Sequence, residues 1–259
     1  MAKVLATRPL ACAAAHGDAP AASSAAAEPF YAAILNELLK ARLPFLVAGG
    51  YAVNAYTGLG RPTKDLDIFT TAGVFPRVLL RMKRRGYSVS IEDERWIGKV
   101  RRGEDFIDII FGSANGAVPV QDDWFQYARL AEVLGMTVPM LSPTELIWSK
   151  AFVQDRRRFD GSDVIHVILK QHENIDWRRL LSHMDGSWEI LLAMVTSFRW
   201  VYPSERNVIP RWLVEELMAR LQRQLELPPS ERRVCRGGMF SNVDYRPAVE
   251  QWGFADIAT

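Results

Sequence analysis

The sequence predicts an α/β domain followed by a mainly helical part, and three observations carry that prediction. Short apolar or alternating runs punctuated by glycine recur between residues 44 and 141, interleaved with stretches at helical spacing. At Ser142-Pro143-Thr144-Glu145 the pattern changes, with a capping serine, a proline in the first turn and a glutamate three residues on. From there apolar residues keep helical spacing to about residue 225.

Composition sets the outer bounds. With 259 residues, 49% hydrophobic and 24% charged, the chain has the make-up of a globular protein with a real core, not of a fibre or a disordered polymer. Lys plus Arg number 32 against 30 Asp plus Glu, a net charge of +2, which argues against a protein coated in nucleic acid while leaving local basic patches open. Two cysteines, Cys12 and Cys235, build neither a disulfide framework nor a zinc cluster and fit a reducing cytoplasm. No run approaches the roughly 20 apolar residues of a membrane span, so no membrane partner is expected.

Residues 1–28 hold 12 alanines, and their four charges (Lys3, Arg8, Asp18, Glu28) cancel. An export signal needs a basic start and about 7–15 strongly apolar residues. Only Leu10 to Ala15 follow Arg8 and Pro9, so a disordered leader is the expectation, with a helical extension as a lesser alternative. An ordered α/β domain is then expected over 29–142 and a helical one over 143–259. Phe30, Ile34, Leu35, Leu38 and Leu39 mark the first helix, begun by Pro29. Residues 44–48 read as a buried strand closed by Gly49-Gly50, and 51–57 as a second helix. The alternation over 63–69 reads as a strand, 75–85 as a basic helix, and 87–91, 96–101 and 106–111 as strands, with 137–141 a further candidate. Helices are expected at 143–158, 161–171, 176–184, 186–200 and 210–225, and their tryptophans (Trp148, Trp177, Trp188, Trp200, Trp212) as packing.

The common phosphate-loop, dinucleotide, zinc-protease and serine-elbow motifs are missing from the sequence, and the four histidines are scattered. What stands out is carboxylate. Asp65 and Asp67, two apart on a predicted strand, point to one face while Leu66 and Ile68 point to the other. Two carboxylates aimed at one spot repel unless a cation lies between them. Such oxygen ligands suit Mg²⁺, which takes a few carboxylates together with substrate phosphates. Asp108 interrupts the apolar run Phe106 to Phe111, a costly position unless it shares that cation. Gly49-Gly50, 15 residues upstream of the pair at a strand-to-helix turn, offers helix-end amides to phosphate oxygens and a backbone that a triphosphate can approach closely.

Taken together, residues 47–52 (Val-Ala-Gly-Gly-Tyr-Ala), 61–69 (Arg-Pro-Thr-Lys-Asp-Leu-Asp-Ile-Phe) and 107–109 (Ile-Asp-Ile) resemble the nucleotidyltransferase domain of the DNA polymerase β superfamily. The resemblance covers roughly residues 45–111. It is nearest to small bacterial branches, the aminoglycoside nucleotidyltransferases and the nucleotidyltransferase toxins of abortive-infection systems. Many members carry Gly-Ser where this chain has Gly49-Gly50. The resemblance implies a nucleotidyltransferase fold with a mixed sheet. It also implies two Mg²⁺ ions held by Asp65 and Asp67, with Asp108 completing the catalytic one. An acceptor hydroxyl of a small molecule, an RNA end or a protein side chain would attack the α-phosphorus of an NTP, and pyrophosphate would leave beside Gly49-Gly50.

Arg61 and Lys64 flank the pair and are candidates for phosphate contact, against the plainer reading of a solvated arginine and a strand-edge lysine. Lys150 lies on the first helix of the C-terminal part, and the stretch Arg156 to Asp163 again resembles the toxin branch; Lys150 is therefore a nucleotide-binding candidate and Asp163 a weaker one. Asp160 reads as the cap of the next helix. The clusters Arg77, Arg81, Lys83, Arg84, Arg85 and Lys99, Arg101, Arg102 would guide an RNA backbone or simply line solvated faces. The rival to an enzyme is a nucleotide-binding or regulatory protein on the same scaffold that does no chemistry.

Overall fold

A computed structural model describes residues 23–257. The expected order of strands and then helices is present, with adjustments that bear on the site. Helix α1 (Ser23–Lys40) begins six residues before Pro29, in the alanine-rich stretch assigned to the leader. Alanine is the best helix former, and Ala27 is buried in the core, so the helix extends through Pro29 despite its missing N–H. The rest of the leader, residues 1–22, lies outside the described residues. Phe30, Ile34, Leu35 and Leu38 are buried, whereas Leu39 is partly exposed.

Nine elements follow up to residue 142: β1 (Leu46–Val47), α2 (Gly49–Thr57), β2 (Leu66–Phe69), α3 (Phe75–Arg84), β3 (Ser88–Asp93), β4 (Ile97–Arg102), β5 (Asp105–Ile110), β6 (Arg129–Val133) and β7 (Met136–Met140). They form one mixed seven-stranded sheet of order β3-β4-β5-β2-β1-β7-β6. β2 runs parallel to β5 and β1 parallel to β7, and the remaining pairs are antiparallel. β6 was missed in the sequence because it is an edge strand. Arg129, Leu130 and Glu132 face solvent, so no apolar alternation marks it. β2 is shorter than the expected 63–69, and Asp65 sits in the bend that leads into it.

The helical part comprises α4 (Pro143–Ala151), α5 (Gly161–Gln171), α6 (Trp177–His183), α7 (Trp188–Val201), α8 (Arg211–Leu225) and the short α9 (Arg246–Glu250), with a two-stranded tail of β8 (Val234–Cys235) and β9 (Ala255–Asp256). Helix α4 stops at Ala151 rather than near residue 158. Asp155 Oδ1 accepts from the amides of Arg157 (2.6 Å) and Arg158 (2.8 Å), and a bridge pairs Gln154 with Phe159, so the chain turns back as a tight hairpin. One apolar core runs from Ala27 to Met239 through both the sheet and the helices. Of the five tryptophans expected to pack among the helices, Trp148 and Trp177 are buried and Trp188 and Trp212 partly so, but Trp200 at the end of α7 is 84% exposed.

Ser142 does precede α4 in an extended conformation, yet its hydroxyl donates to the Glu145 carboxylate instead of accepting from a helix amide. Glu145 is fully buried, and its charge is met by Arg179 of α6, whose guanidinium lies over the Tyr127 ring. Removing one member of a buried ion pair strands the other. Glu145→Ala is therefore expected to cost about 3–5 kcal/mol of unfolding free energy, read as a lower urea midpoint. An unchanged midpoint would show that the pair does not hold α4 to α6.

Candidate active site

The parallel register of β2 and β5 sets Asp67 directly beside Asp108, and Asp65 joins them from the bend before β2. Carboxylate oxygens of all three lie within 4.8 Å of one another. The bend is fixed from several sides. Tyr31 of α1 donates to the Lys64 carbonyl (3.1 Å), Thr63 donates to the Asp65 carbonyl (3.0 Å), and Asn54 of α2 accepts from the Arg61 amide (3.0 Å) while donating to its carbonyl (2.6 Å).

Gly49 opens α2 with φ +56°, a conformation that favours glycine, and an added Cβ there would lie 1.6 Å from Asp67 Oδ2. A Cβ on Gly50 would lie 2.7 Å from Thr63 Oγ1. The glycine pair therefore lets the Asp67 carboxylate and the Asp65 bend sit against the start of the helix, where amides without intrahelical partners favour negative charge.

Charge compensation is uneven. Lys99 stands opposite Asp108 on β4 and pairs with Asp108 Oδ1, its ammonium 4.0 Å from the centre of the Phe106 ring. Among the described residues neither Asp65 nor Asp67 has an ion-pair partner. Burial first, then the charges of Asp65 and Asp108, push the Asp67 carboxyl up to about 7, although Lys150 and Arg158 pull the other way. Burial also raises Asp108, with Lys99 opposing.

Further charged side chains from the helical part border the cleft that Asp67 lines. Lys150 of α4 is 5% exposed, with Nζ 2.7 Å from Asp160 Oδ2 and 3.0 Å from Asp163 Oδ2. Arg61 grips Asp163 with both guanidinium nitrogens, at 2.9 and 2.8 Å. Arg158, delivered by the hairpin after α4, binds Asp160 at 3.0 and 3.1 Å. Burial raises the Asp163 carboxyl, but Arg61 and Lys150 outweigh it and hold it below the ordinary carboxylate range. Burial lowers Arg158, but Asp160, Asp67 and Asp65 raise it more. Asp160 precedes α5 as expected, yet its carboxylate serves Lys150 and Arg158 and makes no cap bond. Gly49, Asp67, Lys150, Arg158 and Asp160 line one cleft of about 180 Å³.

Of the residues singled out in the sequence, Gly49, Gly50, Asp65, Asp67 and Asp108 converge on one spot. Lys150 lines the same cleft, Arg61 reaches it only through Asp163, and Lys64 is exposed and does not line it. Sequence reasoning did not connect Lys99 with Asp108, although two residues meeting across a β4–β5 hairpin centred on Gly103-Glu104 offer the signal. It grouped Lys99, Arg101 and Arg102 as a possible RNA track, but these pair with Asp108, Glu92 and Asp105. Arg81 and Arg85 likewise pair with the buried Glu37 of α1 at 2.9 and 2.6 Å.

The model of one protein family, aminoglycoside-2''-adenylyltransferase, matches residues 31–167, more than half of the chain. The chain belongs to that family. It is a nucleotidyltransferase, and the stretch shared with the family carries the carboxylate triad, Lys99, Arg61 and the Lys150–Asp163 cluster alike. None of the curated proteins matches it. Among solved structures it is similar to the lincosamide antibiotic adenylyltransferase LnuA bound to lincomycin, at 20% identity over 54% of this chain and 94% of that one, with a TM-score of 0.40. It is similar to ANT(2'')-Ia in complex with adenylyl-2''-tobramycin at 17% identity over 68% and 99%, TM-score 0.44. JHP933 from Helicobacter pylori gives 17% identity over 80% and 97%, TM-score 0.43. No described helix is long and apolar enough to cross a membrane.

Two outcomes follow for this member of the family. Gly49→Ala should displace the Asp67 carboxylate and weaken Mn²⁺ binding about 10- to 100-fold by calorimetric titration, at a melting temperature that shows the protein still folded. Asp67, with its folded carboxyl near 7 against an ordinary 3.8, takes up a proton on folding between those values. The stability it contributes is complete at low pH and is lost as pH rises through about 7. In chelator, the wild type should therefore fall in melting temperature relative to Asp67→Asn between pH 5 and pH 8. Parallel curves would contradict the assignment.

Proposed function

We propose that this chain moves a nucleoside monophosphate from an NTP to a hydroxyl of a small molecule, with release of pyrophosphate. The observation that carries the reading is a convergent carboxylate triad, two members of which have no ion-pair partner among the described residues, set against the start of α2 in a chain of an adenylyltransferase family. The family's name favours ATP as donor and a small hydroxylated antibiotic as acceptor class. Five of the eight residues in the two basic clusters, Arg81, Arg85, Lys99, Arg101 and Arg102, are paired with acids, which weakens the support for an RNA acceptor.

The donor set fits Mg²⁺: three oxygen ligands of hard character, converging from two adjacent strands and the bend that leads into one of them. Asp65 and Asp67 would hold two such ions and Asp108 would complete the site of one; when bound, the ions supply positive charge at the attacking and leaving oxygens. The remaining work belongs to the chain. Amides at Gly49-Gly50 and the Arg158 guanidinium meet the triphosphate. Lys150 and Arg61 act by fixing Asp160 and Asp163, and through Asp160 they aim Arg158 into the cleft. Lys99 occupies one oxygen of Asp108, so the second would offer one lone pair to the ion and the other to the proton of the acceptor hydroxyl. The hydroxyl oxygen bonds to the α-phosphorus, the bond from that phosphorus to the bridging oxygen breaks, and pyrophosphate departs with the electron pair. Holding these groups in place before reaction is the larger part of the catalysis.

The test is a transfer assay with each α-³²P-labelled NTP and Mg²⁺ against a bacterial extract split into small molecules, RNA and protein. Label is expected in the small-molecule fraction, and Asp67→Asn should reduce it by at least about 10²–10³-fold. Label in RNA or protein would move the acceptor to that class. No label and no metal-dependent NTP binding would favour a regulatory protein on the same scaffold.

A further inference from the structure

Resting on the transferase reading above, we propose that a second and larger cavity, between α4, the α6–α7 corner and the C-terminal tail, is the acceptor site. We propose further that it takes a hydroxyl compound with an apolar or aromatic body, not a polycation. The cavity measures about 540 Å³, within the size range of small-molecule sites. It lies next to the catalytic cleft across two shared walls. Trp148 and Phe152, one turn apart on and just after α4, face the cavity, while the adjacent Ser149 and Val153 line the cleft with Asp67. In the loop after β5, Gly112 to Ala114 line the cleft and Ala117 lines the cavity. Asn115, between them, donates to the Met239 carbonyl of the tail at 2.6 Å, and so ties the tail to the catalytic side.

The lining decides the class of ligand. The buried Trp148 stacks on His183 at 4.1 Å with their planes 4° apart, so the two back this side of the cavity as one rigid aromatic support. Ile190, Met239 and Phe240 add apolar surface. The charged residues at the lining are one acid and one base, Glu189 and Arg236, and the Glu189 carboxylate already accepts from Gln224 at 2.9 Å. A compound with three or four ammonium groups would be stripped of water here without carboxylates to replace it, which is costly. A neutral or singly charged hydroxyl compound meets no such cost. Acceptor selection in this chain thus departs from the polycation that the family's name describes.

The experiment uses 4-nitrophenyl β-D-glucopyranoside, a neutral aryl glycoside whose nitro ring quenches indole emission, and kanamycin, a polycationic aminosugar. The glucoside is expected to quench tryptophan emission of the full chain saturably, and kanamycin not to displace it. A Cβ added at Gly186, which lines the cavity, would meet no atom within 4 Å, so the backbone there admits a larger residue and Gly186→Phe is chosen to fill the space. Gly186→Phe, and independently Ile190→Trp, should weaken glucoside binding at least about tenfold, a loss of about 1.4 kcal/mol, with Mn²⁺-dependent ATP binding retained. Retained ATP binding with no saturable quenching, with quenching indifferent to both variants, or with displacement by kanamycin would overturn the assignment of this cavity. Absence of Mn²⁺-dependent ATP binding in the wild type would instead overturn the transferase reading on which it rests.

Discussion

The parallel pairing of β2 with β5 puts Asp67 shoulder to shoulder with Asp108, and the surroundings answer the charge that this register concentrates. Carboxylates held within 4.8 Å of each other repel strongly in a partly buried setting. The fold meets that repulsion in three ways. It spends a lysine on Asp108, it sets the Asp67 carboxylate against a helix start that only glycine permits, and it lifts the Asp67 carboxyl to about 7. None of these devices stabilises the chain as well as an apolar cluster would, so the register makes sense as preparation for a cation and its phosphates.

Around this centre the charges alternate. Arg61, Asp163, Lys150, Asp160 and Arg158 form an unbroken chain of ion pairs that starts in the loop before β2, passes through α5 and the end of α4, and returns to the cleft. Its interior members are almost fully buried, which makes removal of any one of them expensive for its neighbours. A network of this kind fixes geometry more than it adds stability, and what it fixes is the position of Arg158 beside Asp67.

Much of this was legible in the sequence, and the exceptions have physical causes. The interruption of an apolar strand by Asp108 was legible because patterning survives wherever one face of a strand is buried, whereas Asp65 joins Asp67 from the bend before β2 and not by the strand alternation expected of the pair. Gly49-Gly50 was legible as a close approach, although the structure shows that the protein's own Asp67 and Thr63 approach it. The edge strand β6 was not legible, since it buries too little to be patterned. Nor was the end of α4. Helical propensity continues past Ala151, and the stop comes from one carboxylate, Asp155, capturing two amides. The basic residues were visible but their partners were not: Lys99 with Asp108 and Arg81 with Glu37 meet only once strands and helices are in place.

The Arg61–Asp163 contact joins residues 102 positions apart. It makes the sheet and the first two helices of the C-terminal part a single heritable unit. A gene fragment ending after β7 would encode every carboxylate of the triad but, of the framework that aims Arg158, only Arg61. A break anywhere between β7 and the start of α5 would separate Arg61 from Asp163. The α6–α7 corner and the tail lie past α5, yet they stay joined to the sheet and α4 through the shared apolar core, the Arg179–Glu145 pair and the Asn115–Met239 bond.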